Sequence, residues 1–371
     1  MDIREKSTVN LGASFVGSSE LNEMLPLPRV ELLPSGLFYR CGRDETLLEA
    51  ALGAGIKLPY GCAVGNCGSC RCKLVEGFVT SISDDEGTLS EKDRADGYIL
   101  TCQSRAASPV IRLEFPDLSA SGVPGRRETR GAIVARRPLT HDILEVKLNL
   151  DEPISFLAGQ FAQIGVDGIK KARCYSFSHR PAQNGQKQVS FFIRKVPGGA
   201  FTEKLFSGEL DGEPLALTAP GGEFYLREGK GALLCIAGGS GLAPVLSILE
   251  DAAKKRIERD CVLVFGARTG ADVYGMDRLE SIARRWCGRF HHVIALSAEN
   301  NETAELGFVR GFVTDHIESS VAALQVRIAE VDTYMAGPPA MIDAALNKFD
   351  AIGLTRSKIY FDRFTDESYG R

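Results

Sequence analysis

Hydrophobic positions along this chain change their spacing in three successive blocks. Between Arg29 and Arg40 two short alternating runs, Val30-Glu31-Leu32-Leu33 and Leu37-Phe38-Tyr39-Arg40, flank Pro34-Ser35-Gly36 and predict a hairpin. A helical stretch, Glu45 to Leu52, follows, with Asp44 as its expected cap and Gly53 and Gly55 as its stop. Strands near 71–80 and 108–114 complete a small α+β unit. From about 130 to 228 several short β-patterned runs are separated by Pro and Gly turns, which predicts an antiparallel barrel.

Beyond 229 strands and helices alternate. Apolar runs at Ala232–Ala237, Cys261–Phe265, His292–Leu296 and Thr333–Ala336 are each followed by a helical pattern, from Ala243, near 276–285, near 312–324 and from Pro338. That alternation predicts a parallel α/β sheet. Residues 1–26 keep no sustained period, and 119–129 are rich in Ser, Gly, Pro and Arg. The chain therefore divides into an extension at 1–26, a first domain at 27–118, a linker at 119–129, a barrel at 130–228 and an α/β domain at 229–371.

Composition narrows the class. With 44% hydrophobic and 25% charged residues the chain reads as soluble and globular, and its longest apolar run, 232–237, is strand-sized. A net charge of −4 argues against nucleic acid as the main partner. Reduced cysteines without a targeting segment lead us to expect a cytoplasmic protein that is not itself a membrane protein.

Cysteine spacing carries the first chemistry. Cys62, Cys67 and Cys70 read Cys-x4-Cys-x2-Cys, and Cys102 follows after 31 more residues. This is the ligand spacing of a plant-type [2Fe–2S] cluster. Gly61, Gly65 and Gly68 between the thiols let the loop wrap a small inorganic core. A four-Cys zinc site is the competing reading, but zinc sites usually present two Cys-x2-Cys knuckles, whereas here three thiols crowd into nine residues. A Rieske centre needs two His ligands, and no His precedes His141. Cys72 is expected on a strand, pointing away from the cluster.

Arg173-Cys174-Tyr175-Ser176-Phe177-Ser178 is the second motif. On a strand Arg173, Tyr175 and Phe177 share one face, and Ser176 and Ser178 the other. The Arg suits a pyrophosphate, the Tyr ring an isoalloxazine, and Ser176 the flavin N5. A barrel strand whose Tyr and Phe fill the core is the alternative. Ile193-Arg194-Lys195-Val196-Pro197-Gly198-Gly199-Ala200-Phe201-Thr202 places a Gly pair before a helix start, an anion cradle. Ala219-Pro220-Gly221-Gly222-Glu223-Phe224 supplies a further loop.

The third is a strand ending at Ala237, a turn Gly238-Gly239-Ser240-Gly241 and a helix opened by Pro244, which has the physics of a dinucleotide pyrophosphate site. Arg268 at the end of the next strand suits a 2′-phosphate, whereas Asp272 suits a free 2′-hydroxyl; the balance leans to NADH. Met335-Ala336-Gly337-Pro338-Pro339 sets a tight turn beside the expected nicotinamide.

With these residues in this order the chain resembles the NADH-dependent reductase components of multicomponent aromatic and alkyl oxygenases, those of xylene, toluene and phenol monooxygenases above all. In that family a plant-type ferredoxin is fused to a ferredoxin–NADP reductase-like module. The likeness spans roughly 28–364. It implies an α+β (β-grasp) ferredoxin domain, an antiparallel β-barrel FAD domain and an α/β parallel-sheet NAD domain. It implies Cys62, Cys67, Cys70 and Cys102 as cluster ligands. Arg173, Tyr175, Ser176 and Ser178 go to FAD, with Gly198, Gly199 and Thr202 at its pyrophosphate. Gly238, Gly239, Ser240 and Gly241 become the dinucleotide turn, and Arg194, Arg268, Gly337 and Pro338 complete the cofactor-binding set.

Tyr175, Ser176, Ala336 and Phe364 are the expected catalytic residues. Ala336 stands where the family usually carries Cys, in Cys-Gly-Pro-Pro. Ile359-Tyr360-Phe361-Asp362-Arg363-Phe364 resembles the family's terminal aromatic segment, with either Phe361 or Phe364 over the flavin. The implied activity is transfer of a hydride from NADH to FAD and of single electrons through the cluster to a terminal oxygenase or an intermediate ferredoxin, by a monomer. A cytochrome P450 or a sugar dehydratase as acceptor is the alternative, and a non-catalytic redox sensor the other. The acidic run Asp84-Asp85-Glu86 reads as a solvated loop or as a dock for a basic partner.

Overall fold

The computed structural model describes residues 26–56, 58–60, 63, 65, 68, 70–82, 88–89, 91–115, 127–299, 307–354 and 358–364. Cys62, Cys67, the acidic run 84–86, the extension 1–25 and residues 365–371 lie outside them.

In the first unit β1 (Arg29–Leu33) and β2 (Leu37–Arg40) form the expected antiparallel hairpin. Strands β3 (Arg71–Glu76), β5 (Tyr98–Leu100) and β7 (Val110–Glu114) extend it into one sheet, ordered β2-β1-β7-β3-β5, while β4 (Val79–Ser81) pairs with β6 (Ser104–Ala106), and α2 (Glu91–Ala95) leads into β5. Helix α1 (Leu47–Gly53) buries Leu47, Leu48, Ala50 and Ala51 against Val30, Leu32, Ile111 and Leu113. The cap expected at Asp44 is at Thr46. Its hydroxyl accepts the Glu49 N–H while the Glu49 carboxylate accepts the Thr46 N–H, so a capping box starts the helix two residues later.

The barrel comprises β8 (Arg127–Pro138), β9 (Ile143–Ile154), β10 (Phe161–Gly165), β11 (Arg173–Ser176), β12 (Gln186–Arg194) and β13 (Leu215–Gly221), with α3 (Ala200–Ser207) between the last two. The order is β11-β10-β13-β8-β9-β12, and a single bridge between Phe177 and Phe191 brings the two ends together. Phe156, Phe177 and Phe191 fill its interior, the first two stacked at 3.8 Å. β8 and β9 are 12 residues each, longer than the short runs expected.

The last unit is parallel throughout: β14 (Leu233–Gly238), β15 (Cys261–Ala267), β16 (Phe290–Leu296), β17 (Val309–Arg310), β18 (Asp332–Gly337) and β19 (Ile359–Arg363), ordered β17-β16-β15-β14-β18-β19. Alternate side chains of β14 enter two apolar layers. Leu233, Cys235 and Ala237 meet α4 (Leu242–Lys254), α5 (Met276–Arg285) and the barrel's Ile143, Phe192 and Phe224. Leu234 and Ile236 meet α6 (Ile317–Ala323) and α7 (Pro339–Ala351).

The helix expected near 312–324 begins as a 3₁₀ turn, Val313–His316. The terminal aromatic segment is β19, an edge strand that the apolar pattern did not announce. Among the described residues no helix is long and apolar enough to cross a membrane.

Among the described residues, one barrel residue enters the core of the first unit. Phe161, at the start of β10 and 4% exposed, packs in the apolar cluster of the first unit, whose members include Tyr60, Cys70, Cys102 and Phe115.

Candidate functional site

Cys70 immediately precedes β3, and Cys102 lies on the 3₁₀ turn Thr101–Gln103 that follows β5. Both are buried, with their Sγ atoms 3.1 Å apart. The Thr101 N–H donates to the Cys70 carbonyl at 3.2 Å, so one backbone contact sets the two thiols against each other. The Gln103 side-chain amide points at the Cys102 sulfur from 3.9 Å. Two thiols brought together at one end of the neighbouring strands β3 and β5, without a bond between them, are a donor set that fits iron. Gly65 and Gly68, in the loop, have φ of +90° and +72°, the freedom the sequence reading assigned to them. Cys72, on β3, is fully buried, as is Cys41, and burial pushes its thiol pKa well up, as for an inert core residue.

The second motif occupies β11. Tyr175 pairs with Ala162 and turns toward the barrel interior, its ring 5.5 Å from Phe201, and burial raises the phenol pKa. Ser176 pairs with Phe161, so both side chains lie on the outer face. The Arg173 guanidinium donates to the Lys171 carbonyl at 2.8 Å. Ser178 is placed differently from expectation. It is fully buried between the barrel and the parallel sheet, its hydroxyl 2.8 Å from that of Ser190, and its carbonyl accepts from Arg278. The barrel's own Ser190 takes up this hydroxyl, and the parallel-sheet domain takes up the carbonyl.

Gly198 (φ +70°) has open space where a side chain would stand, and Gly199 starts α3 without a side-chain cap. The Thr202 hydroxyl accepts the Val196 N–H at 3.1 Å, and thereby shapes this loop. The helix start thus offers backbone amides and a positive dipole end, which fits a phosphate.

At the third motif a Cβ on Gly241 would lie 2.1 Å from the Ala336 carbonyl oxygen, and one on Gly238 would lie 2.5 Å from the Met341 sulfur. Gly239 has φ +54°, and its carbonyl accepts from the Tyr274 hydroxyl at 2.8 Å. Ser240 sits between these glycines on the 3₁₀ turn before α4. A turn this tight brings bare backbone against a ligand, as a pyrophosphate requires. Ala336 is fully buried under the turn, Gly337 has φ +151°, and Pro338 caps α7.

Arg194 reaches this turn from β12. One guanidinium nitrogen would stand 3.3 Å from a Cβ on Gly239, and Asp142 holds the group at 2.9 and 3.0 Å. Arg268 and Asp272, alternatives in the sequence, pair with each other at 3.3 Å, and Arg268 also meets Asp142 at 3.3 Å. Burial raises the Asp142 pKa, but hydrogen bonds from Thr140 and Arg194 outweigh it and hold the carboxyl below its ordinary range. Sequence reading missed Asp142, which lies in the turn between β8 and β9 with no motif around it.

The flavin strand and the nucleotide sheet meet through one residue that the sequence reading did not single out. Asp362 on β19 accepts a hydrogen bond from Ser176 at 3.2 Å, joining the barrel to the parallel sheet. Phe361 turns into the α6–α7 layer, whereas Phe364 packs in the layer shared with the barrel, its N–H donating to the Gly337 carbonyl at 2.9 Å. Tyr334 stacks on Tyr360 at 4.9 Å and Arg227 lies over Tyr225, further anchors for β19 and the loop beside it.

Comparison with known proteins follows the same division. Residues 30–107 match the 2Fe-2S iron-sulfur cluster binding domain, 131–225 the oxidoreductase FAD-binding domain and 235–347 the oxidoreductase NAD-binding domain. The xylene/toluene monooxygenase electron transfer component of Pseudomonas putida is 35% identical over 91% of this chain and 94% of its own length. The crystal structure of an Amycolatopsis cytochrome P450 reductase superposes with a TM-score of 0.75 at 30% identity, covering 91% of this chain and 99% of that one. The ferredoxin reductase of a carbazole 1,9a-dioxygenase system gives 0.66 at 32%, covering 91% and 98%.

Proposed function

The chain belongs to the family of iron–sulfur flavoprotein reductases that serve as electron-transfer components of multicomponent oxygenases, and on that premise we propose how its own residues divide the work. It is an NAD-dependent oxidoreductase with FAD and [2Fe–2S] as cofactors, passing electrons to a terminal oxygenase component. When bound, FAD accepts a hydride from NADH and the cluster moves electrons one at a time.

Cys70 and Cys102, with Cys62 and Cys67, hold the cluster. Tyr175 lines the flavin, Arg173 and the amides after Gly198 and Gly199 bind its phosphates, and Ser176 orients toward N5. Gly238 to Gly241 seat the dinucleotide pyrophosphate, with Arg194 beside it, and Asp272 favours the free 2′-hydroxyl of NADH over a 2′-phosphate. Ala336, Gly337 and Pro338 shape the nicotinamide edge, and Phe364 covers the flavin. Domain limits at 27–118, 130–228 and 229–371 accompany this assignment.

The contact between Ser176 and Asp362 carries the reading, because it joins the flavin strand and the nucleotide sheet in one cleft. Fixed position of the groups around the reacting atoms is what hydride transfer needs from a protein. Asp362 holds the Ser176 hydroxyl in one orientation, and Phe364 excludes water from the same edge.

Purified protein should reduce ferricyanide and cytochrome c with NADH; no reduction of either would overturn this function. A second acceptor class has one specific support, the superposition on a cytochrome P450 reductase. Reduction of a purified P450 but of no oxygenase component would select it. The cytoplasm and a monomeric state belong to the same proposal, the latter checked by light scattering.

A further inference from the structure

We propose that Phe161 is the positioning residue that docks the ferredoxin domain on the flavin barrel and sets the electron-transfer distance between flavin and cluster. This rests on the cofactor assignment above. Phe161 belongs to the barrel by sequence and pairing: it is the cross-strand partner of Ser176 on one side and of Gly221 on the other. Its neighbours Ala162 and Ile164 point into the barrel core, and Phe161 points out of it. The ring nevertheless leaves only 4% of the residue exposed, because it packs in the apolar cluster that contains Cys70, Cys102, Tyr60 and Phe115. No other barrel residue is grouped in that cluster among the described residues.

The site is built for a ring. A Cβ on Gly221 would lie 2.6 Å from Phe161 ring carbons, and one on Gly222 would lie 2.9 Å from them. Side chains at either position would displace the ring. Gln160, one residue earlier, fixes the same loop: its side-chain amide donates to the Gly222 carbonyl at 2.9 Å, and its carbonyl oxygen side accepts the Leu157 N–H at 2.7 Å. Phe161 therefore belongs to the same apolar cluster as two of the thiols while sharing a face with the residue proposed at flavin N5. Electron transfer falls steeply with separation, so one packed ring between two domains fixes a rate. In each transfer the reduced flavin loses one electron and the oxidised cluster gains one, and the acceptor protein removes it.

Phe161→Leu keeps an apolar group in the core, and Phe161→Ala removes the contact. Cytochrome c reduction, drained through the cluster, should fall about tenfold or more in the Ala variant, a barrier rise of about 1.4 kcal/mol, and less in the Leu variant. Ferricyanide reduction, which the flavin supports directly, should change less than about twofold. Freeze-quenched samples should show the reduced-cluster electron paramagnetic signal rising late after the flavin has bleached. In cofactor-free protein, amide exchange at Phe115 and along β7 should accelerate in Phe161→Ala while β9 and β12 stay protected.

Equal losses of both activities, or unchanged cytochrome c reduction, would overturn the proposal, as would unchanged exchange at Phe115. Failure of the wild-type chain to reduce ferricyanide would instead overturn the functional reading, and the exchange measurement would still decide the docking role.

Discussion

Ser176 on the barrel donates its hydroxyl hydrogen bond to Asp362 on the last strand, 186 positions away, at 3.2 Å. Two domains thus share one short contact at the point where flavin and nicotinamide are proposed to meet. Asp362→Ala should slow anaerobic flavin reduction at saturating NADH by about tenfold or more, because the hydroxyl loses its fixed orientation. Asp362→Asn, whose amide oxygen still accepts, should lose less. Stopped-flow absorbance measures both, and a wild-type rate in the Ala variant would remove the contact from the mechanism.

Cys70→Ser and Cys102→Ser separate the two cofactors. Each should abolish the visible absorbance of the cluster and the reduction of cytochrome c. Flavin content and ferricyanide reduction should survive, since the thiols lie in the first unit. Cytochrome c reduction that persists without a cluster would contradict the proposed order of transfer.

Asp272, which pairs with Arg268 at 3.3 Å, is the residue proposed to set coenzyme choice. Asp272→Asn keeps an acceptor for the Thr269 N–H, which donates to Asp272 at 3.1 Å, but removes the charge. The ratio of kcat/KM for NADPH to that for NADH should rise on the order of tenfold, the equivalent of about 1.4 kcal/mol. Steady-state kinetics with both coenzymes test this, and an unchanged ratio would place the 2′-group elsewhere.

Two half-buried groups give stability opposite slopes with pH. Desolvation, helped by the Arg278 charge, lowers the His179 pKa from 6.5 to about 4, so the folded state holds it neutral. Its contribution is complete above 6.5 and is lost as pH falls toward 4. Desolvation raises the Glu223 pKa from 4.5 to about 7 against the attraction of Arg227. That stability is complete below 4.5 and is lost as pH rises toward 7. Thermal unfolding at about pH 5 and about pH 8 should therefore show Glu223→Gln gaining on the wild type at the higher pH. His179→Gln should gain on it at the lower pH. Parallel shifts at both values would disprove the linkage.

Much of this arrangement is legible in the sequence wherever a local rule decides. Cysteine spacing named the metal centre, and a strand, a glycine turn and a helix named the nucleotide edge. Alternation around Pro34-Ser35-Gly36 gave the first hairpin. Where two local rules compete the reading slips: Asp44 and Thr46 both suit a cap, and the Glu49 carboxylate decides for Thr46. Where tertiary contact decides, the sequence is silent. Strand alternation puts Ser176 and Ser178 on one face, yet one meets Asp362 and the other is closed in with Ser190. Nothing near Phe161 marks it as leaving its own domain, because an outward apolar side chain on a strand looks the same whatever covers it.

The separation of Ser176 from Asp362 is also an interval of time. At a synthesis rate of about 5–20 residues per second, roughly 10 to 40 s pass between the appearance of the two residues on a ribosome. The N-terminal unit can complete its core in that interval, while the barrel waits for the strand that orients its serine. Metal loading can then precede a finished flavin edge, and a chain stalled before β19 would carry a cluster fold with no oriented hydride site.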